Sequence, residues 1–318
     1  MVDKKEQYSY SKLECLENCG YAFYLKYVLK YYFFNNTVAT EFGTLLHETE
    51  ETMFNNIKNG TAIDYTRLKN NFLVKCSELE MKYPEFNQKK KTGKTYKEEM
   101  FDYLDRGIYR LKEFADNNPN IEFVAAEQEF NFPYKNINFK GFIDRVFRYR
   151  DTGKYLVQDI KSYDTAETTK AGGSNSKINL SLQGVIYMLA TKYLYNAEPE
   201  ECTFQYDLPL IDLTQDVNMN NVIARGKAKL DLLFNQVEAK DFRAIPSPLC
   251  AFCAYSMTNR NAPEEGRGLC PYFSHWTREH RTFSVENRWE GLEKDLSIYK
   301  LFKKMYNIQV TRRDERHE

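Results

Sequence analysis

The chain has 318 residues, of which 42% are hydrophobic and 15% aromatic, so it has enough apolar material for one large core or two smaller ones. Lys and Arg together number 45, as do Asp and Glu, and this balance excludes a uniformly basic nucleic-acid coat while leaving room for a local basic groove. Because no apolar run reaches about 18 residues and residues 1–14 carry no apolar segment, we predict no membrane span, no secretory signal and a cytoplasmic location.

The first third of the chain is predicted to be helical. Apolar spacing predicts helices over four stretches: 8–31, 41–58, 64–82 and 95–117. The first of them is predicted to break into two short helices at Cys19-Gly20. A solvated basic run separates the last two, which we group as a helical insertion over about residues 60–118.

Strand character begins at Ile121 and continues into the most informative stretch, residues 140–162. There, two runs rich in Phe, Ile, Val and Tyr flank the turn-like cluster 151–154, which predicts a β-hairpin. The second run ends in Asp159-Ile160-Lys161. Because strand side chains alternate between faces, Asp159 and Lys161 are predicted to share one face.

The register of this hairpin decides whether Asp144 joins Asp159 and Lys161. A two-residue loop, 152–153, sets Asp144 opposite Lys161, and a four-residue loop, 150–153, sets it opposite Asp159. A three-residue loop would turn Asp144 to the other face unless a bulge corrected it. Two acids and a lysine at strand ends suit a site for a hard divalent cation and a phosphate. A surface cluster of ion pairs is the equally weighted alternative.

The second half of the chain mixes further elements with irregular segments. The sequence predicts a polar loop, a helix, a strand, a helix and a final helix, over 163–176, 177–195, 202–210, 217–237 and 286–306 respectively. From Arg243 onward, prolines, glycines and cysteines indicate an irregular segment.

Isolated polar residues on these helices are ambiguous when each is taken alone. His47 has an acid at i+4, Glu51, and would most simply form a surface ion pair. Gln183 and Tyr187 stand at i and i+4 on one helix and would most simply be a satisfied amide and a core tyrosine.

The cysteines form a more specific pattern. Their number is seven, and in a reducing compartment their spacing indicates a metal site rather than disulfides. Cys250 and Cys253 form a C-x2-C motif, and Cys270 follows it. Such a set can bind an iron–sulfur cluster or zinc, with Cys19 or Cys15 as the fourth ligand.

Taken in chain order, these motifs resemble the RecB-like branch of the PD-(D/E)XK nuclease superfamily. Within that branch they are most similar to iron–sulfur members such as the AddB nuclease domain and the small CRISPR-associated nucleases. The resemblance covers about residues 8–275 and rests on seven motifs: Ser9-x-Ser11 through Tyr27, Gly43-Thr44-x-x-His47-x-x-x-Glu51, Glu127-x-x-Phe130, Gly141-x-x-Asp144-Arg145, Asp159-Ile160-Lys161, Gln183-x-x-x-Tyr187 and Cys250-x-x-Cys253 with Cys270. The chain departs from the family at Gly20, where proline is usual, and in the longer gap before Cys270.

The resemblance implies an α/β fold, in which a restriction-endonuclease-like mixed sheet is flanked by helices. It implies one nuclease domain over residues 1–318, containing the helical insertion and a cysteine-rich segment over residues 243–280. The segments at the two ends of the chain are expected to be joined by the metal cluster.

The same resemblance implies metal-dependent hydrolysis of DNA by an exonuclease, in repair, recombination or the processing of phage or CRISPR DNA. Mg²⁺ or Mn²⁺ would be bound by two carboxylates, a backbone carbonyl and an imidazole that favours Mn²⁺, supplied by Asp144, Asp159, Ile160 and His47. Lys161 would hold or activate the attacking water, and Gln183 and Tyr187 would orient Lys161 and the scissile strand.

The resemblance further implies a 4Fe–4S cluster, with zinc as the alternative, on four cysteines: Cys19, Cys250, Cys253 and Cys270. The substrate would be DNA with a free end or a single strand, and a helicase, recombinase or integrase would be the protein partner. The alternative functions are a catalytically silent DNA-binding scaffold and a zinc-stabilised interaction module. The intact set of Asp144, Asp159 and Lys161 argues against the silent scaffold.

Overall fold

The computed structural model describes most of the chain, namely residues 6–33, 36–90, 93–162, 182–211, 213–217, 219–244, 248–256, 259, 262–270, 272–277 and 282–287. The chain forms two compact units, the first from residues 1–9 and 36–229 and the second from residues 10–35 and 230–318. The assignment of the whole chain to one nuclease domain remains a prediction. No helix in the described part combines the length and apolar character needed to span a membrane.

Eight α-helices occur among the described residues. They are α1 (Tyr10–Asn18), α2 (Gly20–Phe23), α3 (Val38–Lys58), α4 (Tyr65–Lys82), α5 (Tyr96–Asp105), α6 (Arg110–Asn117), α7 (Leu182–Tyr195) and α8 (Met219–Glu238). A short π-helix, Tyr24–Val28, continues α2. The predicted break at Cys19 is confirmed, because this residue is extended, with a φ of −166°. The helix predicted over 95–117 is divided by a 3₁₀ turn at Gly107–Tyr109.

Eight strands complete the described elements. They are β1 (Gln7–Tyr8), β2 (Ile121–Tyr134), β3 (Ile137–Tyr149), β4 (Tyr155–Ile160), β5 (Cys202–Leu208), β6 (Leu213–Val217), β7 (Tyr272–Thr277) and β8 (Thr282–Asn287). The sequence did not predict β1, β6 or the β7–β8 pair. The helix predicted from Glu286 is wrong at its start, because Glu286 and Asn287 belong to β8. The rest of that helix and the polar loop 163–176 lie outside the described residues.

Strands β1 to β6 form one mixed sheet in the order β1-β3-β4-β5-β6, with β2 also paired to β3. Strand β2 runs antiparallel along the whole length of β3, whereas β1 and β4 pair with β3 near its two ends, at residues 138–139 and 145–148. Among the described residues, 140–144 of β3 therefore have no strand partner on the edge that β1 and β4 share. The mixed α/β fold predicted from the sequence is confirmed.

The β3–β4 hairpin closes through the four-residue loop 150–153. The Tyr149 backbone N–H donates to the Lys154 carbonyl oxygen at 2.8 Å, and Gly153 occupies the left-handed region, with a φ of 72°. The strand register pairs Arg145 with Gln158, so Asp144 comes opposite Asp159 one step further on. Of the loops considered, the four-residue one is confirmed.

A large apolar core lies between one face of the sheet and α3 to α6. Helix α3 begins with a capping box at Thr37 and Thr40, which satisfies its first backbone N–H groups. The ring of Phe54 in this helix packs against Phe147 of β3, with ring centroids 5.3 Å apart. This contact fixes the orientation of α3 relative to the sheet that carries the candidate site residues.

The second unit joins the early helices to a distant part of the chain. A Cβ atom at Gly20 would lie 2.9 Å from backbone atoms of Phe242 and Arg243, so only glycine fits at this contact. The Tyr255 hydroxyl donates to the Tyr31 carbonyl oxygen at 2.7 Å. This close backbone approach accounts for glycine at position 20.

Candidate active site

Two buried carboxylates lie where β3 and β4 separate. Asp144 is 8% exposed and Asp159 is 1% exposed. Beyond the last ladder pair, the Ile160 backbone N–H donates to Asp144 Oδ2 at 2.7 Å. The carboxylate thus takes the place of a strand carbonyl, which holds it at the point where the strands part.

Lys161 is anchored from both its backbone and its side chain. Its N–H donates to the Asp207 carbonyl oxygen at 2.8 Å and so extends β4 along β5. Its Nζ lies 2.6 Å from Asp159 Oδ2 and donates to Gln183 Oε1 at 3.0 Å. The ammonium group is therefore placed directly beside the buried acids.

Helix α7 supplies Gln183 and Tyr187, whose i, i+4 spacing puts both side chains over the carboxylates. Gln183 Nε2 donates to Asp159 Oδ1 at 2.5 Å, and the Tyr187 hydroxyl donates to the same oxygen at 3.2 Å. Tyr187 also lies 3.5 Å from Asp144 Oδ1. Burial, followed by the charges of Asp144 and Asp159, raises the pKa of Tyr187 well above its ordinary value, so it remains a donor.

His47 of α3 completes the cluster from another direction. Its Nδ1 lies 3.5 Å from Glu127 Oε1 and 3.6 Å from Asp144 Oδ2. The surface pair with Glu51 that spacing alone suggested is thus replaced by a contact with the sheet. Burial lowers the pKa of His47, but the hydrogen bond to Glu127 and the charge of Asp144 outweigh it, and the net shift is upward.

Glu127 reaches His47 through an unusual backbone conformation. Its φ is 45°, in the left-handed region that non-glycine residues rarely adopt. The register pairs Ala126 with Arg145 and Gln128 with Ile143, so Glu127 falls opposite Asp144, and both carboxylates lie close to His47. Such strain costs about 1–3 kcal/mol and clusters at functional sites. The sequence placed Glu127 in a motif but gave it no role, because a period-two pattern cannot reveal a left-handed residue within a strand.

Among the described residues, one group has the composition and spacing of a metal site. The ligand atoms of His47, Glu127 and Asp144 all lie within 4.8 Å of one another. Burial, followed by the charge of Asp159, raises the pKa of Asp144 to about 7. One imidazole with several carboxylates suits Mn²⁺ or Mg²⁺, and a divalent cation would relieve the repulsion between the buried acids.

Behind the carboxylates lies a buried network of charges that the sequence analysis missed. Arg145, 1% exposed, pairs with Glu50 of α3 and with Asp207 Oδ2 of β5, the latter at 2.8 Å. Tyr103 of α5 donates to Glu50 Oε1 at 2.6 Å. Arg145 follows Asp144 directly, and Asp207 holds the Lys161 backbone, so this network supports both. Its members are too far apart in sequence for any local pattern to reveal it.

The second unit contains the four cysteines that were predicted to bind a metal cluster. A cavity of about 250 Å³ is lined by five cysteines, namely Cys15, Cys19, Cys250, Cys253 and Cys270. None of the chain's seven cysteines, all of which are described, forms a disulfide. No three of their sulfur atoms lie within 4.8 Å of one another. Burial raises the pKa of Cys15 to about 12 and that of Cys253 to about 11.

Comparison with known proteins identifies the family to which the chain belongs. A family model described as the PD-(D/E)XK nuclease superfamily matches residues 7–258. Among solved structures, the chain is similar to a "Putative exonuclease" from Eubacterium rectale, with 11% identity, 78% of this chain and 87% of that chain covered, and a TM-score of 0.44.

The protein SSO0001 is similar with 11% identity, 82% of this chain and 88% of that chain covered, and a TM-score of 0.28. At these TM-scores neither structure carries weight for the fold or activity of this chain. No curated protein matches it.

Proposed function

Because the chain belongs to the PD-(D/E)XK nuclease superfamily, we propose that it is a divalent-metal-dependent nuclease that hydrolyses phosphodiester bonds in DNA. The observation that carries the proposal is the convergence of Asp144, Asp159 and Lys161 where β3 and β4 separate, with His47 beside them. A scaffold without catalysis would have no use for buried carboxylates that repel each other.

The residues that would hold the cation are two carboxylates, an imidazole and a backbone carbonyl, from Asp144, Asp159, His47 and Ile160. We add Glu127, whose carboxylate joins the cluster through its contact with His47. Bound Mg²⁺ or Mn²⁺ would polarise the scissile phosphate and lower the pKa of the attacking water. The mixture of imidazole and carboxylate favours Mn²⁺.

Lys161 would act on the attacking water and on the phosphate. Its ammonium group, held by Asp159 and Gln183, is a preorganised donor for a water and offsets negative charge that develops on the phosphate oxygens. Gln183 and Tyr187 both donate to Asp159 Oδ1, which fixes the orientation of that carboxylate. These two residues would thereby orient Lys161 and the scissile strand.

For the cysteine-lined cavity, we propose a 4Fe–4S cluster on Cys19, Cys250, Cys253 and Cys270. Five cysteines line one cavity, so a single inorganic group there could take four of them as thiolate ligands. Zinc is the rival, and Cys15 is the alternative to Cys19. The cluster would be structural and would hold α1 to the C-terminal segment.

The proposed substrate is DNA with a free end or a single strand, processed with a helicase, recombinase or integrase in repair, recombination or phage or CRISPR DNA metabolism. These finer assignments rest on the motif resemblance.

The test is digestion of end-labelled linear and circular DNA, single- and double-stranded, with Mn²⁺, Mg²⁺ or EDTA. We expect metal-dependent cleavage that Asp159→Ala abolishes, and that the exposed control Asp105→Ala retains. Products that begin at labelled ends, with circles intact, would identify an exonuclease. If the Asp159→Ala protein cleaves at the wild-type rate in Mn²⁺, the assigned site is wrong; if no substrate is cleaved by the wild type, the chain is a silent scaffold.

A further inference from the structure

A long cavity runs along α3 beside the candidate active site. Its volume is about 790 Å³, and it is lined by residues of α3 from Ala39 to Glu51 together with Glu127, Phe142 and Ser162. The twelve residue-to-residue steps from Ala39 to Glu51 rise about 18 Å at 1.5 Å per step. The cavity contains His47, so it leads directly to the proposed metal ligands.

Phe142 stands out in the wall of this cavity. Its exposure is 50%, whereas Phe139 and Phe147 on the same strand are fully buried. It lies in the stretch of β3 that has no partner on the β1/β4 edge among the described strands. Asp144 lies two positions further along the strand, about 7 Å away. An aromatic ring is thus presented to solvent within one nucleotide's reach of the buried acids.

The charges around the cavity indicate which part of a nucleic acid fits there. Glu48, Glu51 and Glu127 line it, and none of its described lining residues is Lys or Arg. Burial and the charges of Glu127 and Glu48 raise the pKa of Glu51, consistent with a crowded acidic wall. Carboxylates repel phosphate, whereas an uncharged base can approach them and stack on an aromatic ring.

We propose that Phe142 is a substrate-positioning residue, which stacks on an unpaired base next to the scissile phosphate. The proposal rests on the proposed nuclease function and narrows its substrate. A base within a duplex already has both faces covered, so it must leave the stack before it can meet Phe142. The enzyme is therefore selective for single strands, or for ends that can fray.

The first experiment measures kcat/KM on single-stranded DNA in Mn²⁺. Loss of a stacked aromatic residue costs about 5- to 150-fold, and we expect this loss for Phe142→Ala. Phe142→Trp should retain the wild-type rate, because indole stacks at least as well. The matched control is Phe101→Ala on α5, which removes a ring of similar exposure, 54%, from another element. Its kcat/KM should equal that of the wild type.

The second experiment separates stacking from a general structural effect. Single-stranded oligonucleotides each carry one abasic site, moved one position at a time. For the wild type, one position should reduce cleavage by the same 5- to 150-fold, and at that position Phe142→Ala should cleave intact and abasic strands equally. If Phe142→Ala folds poorly, Phe142→Leu, which keeps an apolar side chain, takes its place.

Two results would overturn the inference. Either Phe142→Ala cleaves intact single strands at the wild-type rate, or the effects of the variant and of the abasic site simply multiply at every position. A wild-type protein that cleaves no DNA in Mn²⁺ would instead overturn the proposed function, so the two failures are distinguishable.

Discussion

Replacing Asp144 with Asn should stabilise the metal-free protein at high pH while it abolishes cleavage. Asp144 is 8% exposed, and burial together with Asp159 raises its pKa from 3.8 to about 7. The proton is thus held more tightly in the folded state than in the unfolded state. The contribution of Asp144 to the free energy of unfolding is favourable at low pH and is lost as the pH rises through about 7.

The magnitude follows from the same pKa. A difference of one between the pKa in the folded state and that in the unfolded state corresponds to about 1.4 kcal/mol. Ionisation of Asp144 therefore lowers the free energy of unfolding by at most about 4 kcal/mol above pH 7. Between pH 5 and pH 8 the cost grows by about 2–3 kcal/mol. Asn carries no charge at either pH, and its side-chain oxygen can still accept from the Ile160 N–H.

Urea unfolding of the wild type and of Asp144→Asn, at pH 5 and pH 8, with EDTA or with Mn²⁺, measures the effect. In EDTA at pH 8 the variant should be the more stable by about 2–4 kcal/mol, and the gap should shrink at pH 5. At about 100 times its Kd, Mn²⁺ should stabilise only the wild type, by about 2.7 kcal/mol. Asp105→Asn, an exposed change, should show neither effect.

The reasoning is refuted if Asp144→Asn is no more stable than the wild type in EDTA at pH 8. It is equally refuted if the difference between the two proteins does not depend on pH.

Four further predictions concern the neighbouring groups. Lys161→Ala should reduce kcat at least about 100-fold and leave the Mn²⁺ Kd unchanged, because ammonium is not a ligand; a weakened Kd would contradict this. His47→Ala should weaken Mn²⁺ binding about 10- to 100-fold in titration calorimetry, and an unchanged titration would make His47 a structural ion-pair partner. Anaerobically purified protein should be brown and Cys250→Ser colourless and less stable, whereas colourless wild type with one zinc and no iron would exclude the iron–sulfur cluster. Arg145→Met should lower stability by about 3–5 kcal/mol in urea unfolding, because it strands two buried carboxylates, while Arg106→Met at the surface should change it by less than about 0.5 kcal/mol.

Local patterns predicted the elements that local physics determines. The α3 helix and the β3–β4 hairpin follow from apolar spacing and turn residues, and the hairpin brings Asp144 and Asp159 together. Strand β6, LTQDV, was missed because a short, mostly polar edge strand has no distinctive period.

The candidate site was harder to predict because its contacts are long-range. No residue near His47 in sequence indicates that Glu127, eighty residues later, is its partner, and no strand pattern indicates the left-handed φ of Glu127. The Glu50–Arg145 pair is invisible for the same reason. Only the order of the motifs along the chain brought His47 and Glu127 into one hypothesis.

The construction of the second unit from two distant segments has a consequence for synthesis on the ribosome. Gly20 packs on Phe242, and Tyr21 donates to the Leu269 carbonyl oxygen, so the early helices meet their partners only after more than two hundred further residues have been made. At about 5–20 residues per second, that interval lasts tens of seconds. During it, Cys15 and Cys19 are exposed to the cell without the rest of their cavity. Completion of this unit is thus timed by translation of the segment near Cys250.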